Sequence, residues 1–202
     1  MTRIVLASSN RGKLAEFNDL FADIDLEAVT QGSLGVADAE ETGLTFVENA
    51  LLKARNAAAA TGLPALGDDS GLCVDYLRGA PGLYSARYAG EHGDVPANNA
   101  KLLRELEGVP ETRRGAFFIC VLALVRHADD PAPLIAEGRW HGRVLTAPRG
   151  ERGFGYDPLF LPHGHESSAA ELEPAVKNRL SHRGQALAAL RTRLAEWHRD
   201  RT

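Results

Sequence analysis

From Ala116 to Val125 every residue is apolar, and the run lies between Arg114 and Arg126. At ten residues it is far short of the roughly 20 that a membrane-spanning helix needs. It lacks the alternation of a half-exposed strand or an amphipathic helix, so it fits a strand covered on both faces. Such a strand belongs at the centre of a sheet with helices on either side. The rest of the chain agrees, because strand-like and helix-like segments alternate along it.

Arg3–Ala7 reads as a short buried strand, followed by apolar residues at helical spacing, Leu14, Phe17, Leu20 and Phe21. Leu26–Val29 is a second strand. A long helix opens at the capping box Thr45/Glu48, carries the stripe Val47, Ala50, Leu51, Ala54 and Ala58, and ends at Gly62 and Pro64. Further on, Asn98–Leu106 predicts a helix and Leu134–Trp140 and Arg143–Thr146 two strands, and a glycine-rich stretch from Gly150 to Pro158 leads into the apolar Leu159-Phe160-Leu161. The last helix starts near Ser181 and presents Leu187, Leu190, Leu194 and Trp197 on one side. The expected class is α/β.

With 202 residues, 44% hydrophobic and 25% charged, the chain can bury a proper core as one domain over 1–202, or as two tightly joined lobes. A formal charge of −4 argues against a broad basic face for nucleic acid. The N-terminal apolar stretch, Ile4–Ala7, is too short for a secretory signal, and no span is visible. Cys73 and Cys120 sit in apolar surroundings without metal-like spacing, which fits buried free thiols and a cytoplasmic setting.

Three polar segments interrupt this framework. Ser8-Ser9-Asn10-Arg11-Gly12-Lys13 joins the first strand to the first helix, where backbone N–H groups and an ammonium can hold phosphate. It is nearly a Walker A loop, but Ala7 replaces the first glycine and Leu14 the Mg²⁺-ligating hydroxyl, so a cation must be held elsewhere. The candidates are Glu40, Glu41, Asp68 and Asp69. The last two lie in Gly67-Asp68-Asp69-Ser70-Gly71, read as an acidic turn suited to a hard divalent cation; a metal-free Asx turn is the alternative. Lys53 lies on the long helix, on a solvated face unless the fold turns it toward a ligand. The third segment is Gly153-Phe154-Gly155-Tyr156-Asp157-Pro158, in which an accessible aromatic face can stack on a base. His163 and His165 lack further ligands at metal spacing and read as a solvated loop.

Taken together, these pieces resemble the inosine triphosphate pyrophosphatase family, in its bacterial form. The match is carried by Leu6–Lys13, Glu40–Phe46 with Glu48-Asn49-Ala50, Asp68–Leu72, Gly79–Gly82 with Ser85–Tyr88, Gly153–Pro158 and Ser181–Gly184, in the family's order over nearly the whole chain. The resemblance implies a long central mixed sheet flanked by helices, two lobes with a nucleotide cleft between them, and a homodimer. It also implies hydrolysis of ITP, dITP and XTP to the monophosphate and pyrophosphate, which cleanses the nucleotide pool and prevents misincorporation into DNA and RNA. Ser8, Ser9, Asn10, Arg11, Gly12 and Lys13 would line the triphosphate, and Glu41 and Asp69 would hold Mg²⁺. Asp69 would also accept the proton. Lys53, Ser70 and Lys177 would contact substrate, and Phe154, Gly155, Tyr156 and Asp157, with His182 and Arg183, would enclose the base.

The chemistry asks for such residues. Charge moving onto a departing pyrophosphate needs cations, and Mg²⁺, Lys13 and Lys177 can supply them. Carboxylates must hold the metal and orient the attacking water, a division that the adjacency of Asp68 and Asp69 leaves open. Two other readings share the same residues: an enzyme for pyrimidine or modified nucleotides, and a catalytically silent nucleotide-binding module.

Overall fold

The computed structural model describes residues 2–8, 14, 17–18 and 26–199. Its strands are β1 (Thr2–Leu6), β2 (Leu26–Thr30), β3 (Ala65–Val74), β4 (Gly115–Val125), β5 (Leu134–Val144) and β6 (Phe160–Pro162). They form one six-stranded sheet in the order β2-β1-β3-β4-β5-β6. β1 is parallel to β2, from Thr2↔Leu26 to Leu6↔Thr30, and to β3 at Val5↔Ala65 and Leu6↔Leu66. β5 and β6 are antiparallel, which makes the sheet mixed. The helices are α1 (Phe46–Thr61), α2 (Val95–Glu105), α3 (Pro174–Leu180) and α4 (His182–Arg199). Leu14, Phe17 and Asn18 are helical, as the spacing predicted, whereas Leu20, Phe21 and the side chain of Trp197 lie outside the described residues.

The apolar run is β4, an inner strand, and of its ten apolar residues only Phe117 is half-exposed rather than buried. β1 shows how a strand serves two cores at once. Ile4 and Leu6 pack with Phe17, Leu66, Leu122 and Leu190, while Val5 and Ala7 join Ala54, Ala57, Ala58 and Val125. Successive side chains point to opposite faces, so both faces are covered.

Two sequence expectations are corrected. The strands expected at Leu134–Trp140 and Arg143–Thr146 are a single strand, β5, running through His141 and Gly142. Gly142 does not break it; a Cβ there would lie 2.4 Å from the Leu161 carbonyl oxygen, so the glycine admits β6 instead. Likewise Gly67–Gly71 is not a turn but the middle of β3. Gly67 lacks a side chain because α1 lies against it: an added Cβ would sit 2.0 Å from the Ala50 carbonyl oxygen. Gly67→Ala is therefore expected to force α1 off β3 and cost about 1–3 kcal/mol, read as a lowered urea midpoint; an unchanged midpoint would show that the contact yields freely.

The long helix begins as predicted. Thr45 Oγ1 accepts from Glu48 N, and the Glu48 carboxylate accepts from Leu44 N, one residue before the cap. At the other end Gly62 adopts φ 68°, and its N–H donates to the Ala58 carbonyl.

By contact density the chain divides into two compact units, one of Met1–Asp69, Cys120–Gly138 and Ala186–Thr202, the other of Ser70–Ile119 and Arg139–Gln185. In the first, Asp130 organises the β4–β5 connection. Its buried carboxylate accepts from the N–H groups of Arg126 and Ala132 at 2.8 and 2.9 Å. Burial opposes ionisation there, but those bonds and the Arg126 charge outweigh it and hold the group below the usual carboxylate range. A depressed folded value gives stability that is present above the unfolded pKa, about 3.9, and is lost as pH falls through the folded one. Asp130→Ala should accordingly cost about 1–3 kcal/mol at neutral pH by leaving two N–H donors without acceptors. Denaturation at pH 7 and pH 3 checks it, with a smaller difference between variant and parent expected at pH 3.

In the second unit Leu72, Leu102, Leu106, Phe118, Trp140 and Phe160 form the core. The buried Arg114 guanidinium donates to the carbonyls of Leu106, Val144 and Leu145, tying the end of α2 to β4 and β5.

Candidate active site

β3 carries Asp68 and Asp69 side by side, both buried. A strand sends neighbours to opposite faces, and their partners differ accordingly. Asp68 accepts from the Cys120 thiol at 3.7 Å, whereas Asp69 meets α1. Lys53 Nζ lies 2.8 Å from Asp69 Oδ1 and 3.2 Å from the Asp68 carbonyl oxygen, and 2.6 Å from Glu41 Oε1. Asn49, one helical turn before Lys53, donates to Asp69 Oδ2 at 3.4 Å. The Gly67 contact permits both, because it brings α1 close enough for two side chains to reach one carboxylate. Lys53 is thus turned toward acidic groups rather than left on a solvated face.

The second unit holds a separate constellation. Asp157 is buried, and its Oδ2 accepts from Phe154 N at 2.7 Å and from Lys177 Nζ at 2.5 Å. The Lys177 ammonium also lies 5.0 Å from the centroid of the Phe154 ring, which is 65% exposed. Gly153 is required in this turn: it has φ +79°, and a Cβ would come within 2.2 Å of Asp157 Oδ2. Tyr156 is buried and donates to the Ser85 carbonyl, and the Gly155 carbonyl accepts from Asn99. The buried His182 ring is stacked on Phe118 with centroids 4.9 Å apart. It opens α4, whose first turn fits against α3 because Gly184 has no Cβ to meet the Asn178 carbonyl at 1.8 Å. Arg183 is half-buried beside it.

Of the remaining predicted residues, Ser8 is half-buried with its N–H on the Leu6 carbonyl, and Ser70 is half-buried on β3. Ser9, Asn10, Arg11, Gly12 and Lys13 lie outside the described residues. The sequence reading gave no role to Asn49, Asn99 or Phe118. An asparagine set in the alanine-rich stripe of α1 was the available signal for the first; nothing in the sequence distinguished Phe118 from its apolar neighbours.

The family model described as the Ham1 family matches residues 4–193. This chain belongs to the Ham1 family. It is 60% identical over 194 residues to a protein of Xanthomonas campestris pv. campestris named dITP/XTP pyrophosphatase, covering 96% of this chain and 98% of that one. A protein of the same name from Pseudomonas syringae pv. tomato is 60% identical over 195 residues, with the same coverage. A solved Ham1 protein from Coxiella burnetii superposes with a TM-score of 0.93 at 51% identity, covering 97% of this chain and all of that one. The mixed α/β fold is thus that of Ham1 proteins.

In this Ham1 chain the electrostatics around Lys53 follow from burial and pairing. Burial pulls the ammonium down, but the Asp69 and Glu41 charges outweigh it and leave its pKa raised. Asp69 is raised chiefly by burial, with the Glu41 charge adding to it, against the opposing effects of Lys53 and Asn49. The pair therefore consists of a firmly protonated lysine and a carboxylate more basic than usual. The chemistry of the pair fits a hard divalent cation: Glu41 and Asp69 are oxygen donors that both reach one cation, at present the Lys53 ammonium. Among the described residues no cluster of three or more His, Cys, Asp or Glu side chains is placed to hold a metal. A pair of carboxylates suits Mg²⁺, which commonly completes its shell with water and substrate phosphates.

No helix among the described residues is long and apolar enough to cross a membrane. His163 is exposed and lies 6.4 Å from the His141 ring. Burial, above all, pushes the half-buried Cys73 thiol up to about 11.

Proposed function

We propose that this chain is a Mg²⁺-dependent pyrophosphatase that hydrolyses ITP, dITP and XTP to the nucleoside monophosphate and pyrophosphate. The observation that carries the reading is the Glu41–Lys53–Asp69 cluster, two carboxylates joined through one ammonium at 2.6 and 2.8 Å. The names of the relatives support the same activity.

Glu41 and Asp69 would hold Mg²⁺, which when bound supplies positive charge for the phosphates and the departing pyrophosphate. Asp69 accepts a proton from the attacking water, with Lys53 and Asn49 fixing the direction of its carboxylate. The water oxygen bonds the α phosphorus and ends in the monophosphate, the bond from the α phosphorus to the bridging oxygen breaks, that oxygen leaves with pyrophosphate, and the proton taken by Asp69 passes to solvent. Lys53 orients Asp69 and keeps its own charge. Ser8, Ser9, Asn10, Arg11, Gly12, Lys13 and Ser70 are assigned to the triphosphate. Phe154 stacks on the base with Lys177 beside it, Asp157 holds that pair in place, and His182 and Arg183 read the base edge. Gly155 and Tyr156 complete the wall. The enzyme works as a cytoplasmic homodimer, without nucleic acid or membrane as a partner.

The test is phosphate release with inorganic pyrophosphatase added or omitted. Phosphate that appears only with the added enzyme identifies pyrophosphate as the product. Phosphate released without it would replace this reading with stepwise γ-phosphate removal.

A further inference from the structure

Asn49 is 1% exposed and uses both ends of its amide. Its Oδ1 accepts from Gly43 N at 2.8 Å, and its Nδ2 donates to Asp69 Oδ2 at 3.4 Å. The orientation is not ambiguous: a backbone N–H can only donate, so the oxygen faces Gly43 and the NH₂ faces the carboxylate. Asp69 thereby has a different donor on each oxygen, Lys53 on Oδ1 and Asn49 on Oδ2, from positions i and i+4 of one helix. Donors at both oxygens oppose rotation of the carboxylate about its own axis.

The other end of the amide fixes the backbone two residues after Glu41. Space is already tight there, since a Cβ on Gly43 would lie 2.7 Å from Asn49 Oδ1. One buried amide therefore spans the segment bearing Glu41 and the carboxylate of Asp69, parallel to the ionic link through Lys53. The bond to Asp69 is long, so its value lies in direction rather than strength.

We propose that Asn49 is a positioning residue for hydrolysis: it sets the plane of the Asp69 carboxylate and the seat of the Glu41 segment, acting through them without touching substrate. This rests on the role given to Asp69 above. Positional errors near 1 Å can cost about 10²-fold in rate.

Asn49→Asp separates the two arms, since it keeps an acceptor for Gly43 but replaces the donor to Asp69 with a carboxylate oxygen. Asn49→Ala removes both arms, and guards against a buried extra charge preventing folding. Two readouts are taken: kcat and KM for ITP with Mg²⁺, and hydrogen exchange of the Gly43 amide in the metal-free, substrate-free protein. For Asn49→Asp, kcat is expected to fall about tenfold or more, with KM within about threefold and Gly43 protection retained. For Asn49→Ala, kcat falls similarly and Gly43 protection is lost. In an Asp69→Asn background, Asn49→Asp should cost less than about twofold more, because the two act as a unit.

Parental kcat in either variant would overturn the proposal. So would a multiplicative loss in the double variant, or loss of Gly43 protection in Asn49→Asp as complete as in Asn49→Ala. Full activity of Asp69→Asn would instead remove the underlying role of Asp69. An inactive Asp69→Asn beside a normal Asn49→Asp would remove only the role of Asn49.

Discussion

ITP, dITP and XTP are expected to exceed ATP in kcat/KM by up to roughly 10⁴-fold, the range open to a site built around a hydrogen bond. Hypoxanthine and xanthine present an oxygen at position 6, where adenine presents an amino group. Donors from His182, Arg183 or the neighbouring backbone would pair with the oxygen and be left facing another donor by ATP. Such discrimination would need a base wall held in place by its neighbours. His182 is buried and stacked on Phe118, and the 153–157 turn is pinned by the Asp157 carboxylate and by the Tyr156 hydroxyl on Ser85. A site that cannot relax cannot recover a lost bond. GTP keeps the 6-oxo group, so rejecting it would require the 2-amino group to meet a badly matched wall, which the 153–157 turn would supply. Comparison of kcat/KM for ITP, XTP, GTP and ATP at one Mg²⁺ concentration decides the matter. Equal values for GTP and ITP would make this a general nucleotide pyrophosphatase, and preference for pyrimidines would move it to another substrate class.

Much of the fold was legible because it rests on local patterns. The unbroken run Ala116–Val125 became the inner strand β4, and Thr45, Glu48 and Gly62 bounded α1. Gly67 and Gly142 misled for a common reason. Gly67 lay in a segment read as a turn and Gly142 in the gap left between two expected strands, yet each exists so that another backbone can come close, at Ala50 and at Leu161. Such contacts join residues far apart in the chain and leave no periodic trace.

The site divides in the same way. Glu41 and Asp69 were legible as acidic residues near glycines, and the structure brings them together through Lys53, whose direction no helical spacing could reveal. The different partners of Asp68 and Asp69 became readable only once the segment proved to be a strand, because a turn imposes no alternation. Asn49 and Phe118 were hidden because a buried amide and a stacking partner acquire meaning only from what the tertiary fold sets against them.

Asp69→Asn is expected to lower kcat for ITP by at least about 10²-fold. The substitution keeps shape and volume but removes the charge that would bind Mg²⁺ and the base that would take the proton from water. Lys53 bears on the outcome. In the parent its ammonium is balanced by both Asp69 and Glu41; in the variant Glu41 alone remains, and a half-buried cation loses its partner on β3. Some loss of stability should therefore accompany the loss of rate, and thermal unfolding must be followed alongside kinetics. The two are separable because a folded fraction with parental turnover per molecule would show the defect to be structural. A folded Asp69→Asn enzyme with near-normal kcat, or a parent enzyme fully active in excess chelator, would take the proton transfer or the metal out of the mechanism. The double variant Asp69→Asn with Lys53→Met completes the argument. Removing the ammonium should restore part of the stability, since it relieves an incompletely balanced, half-buried charge, and should restore none of the activity.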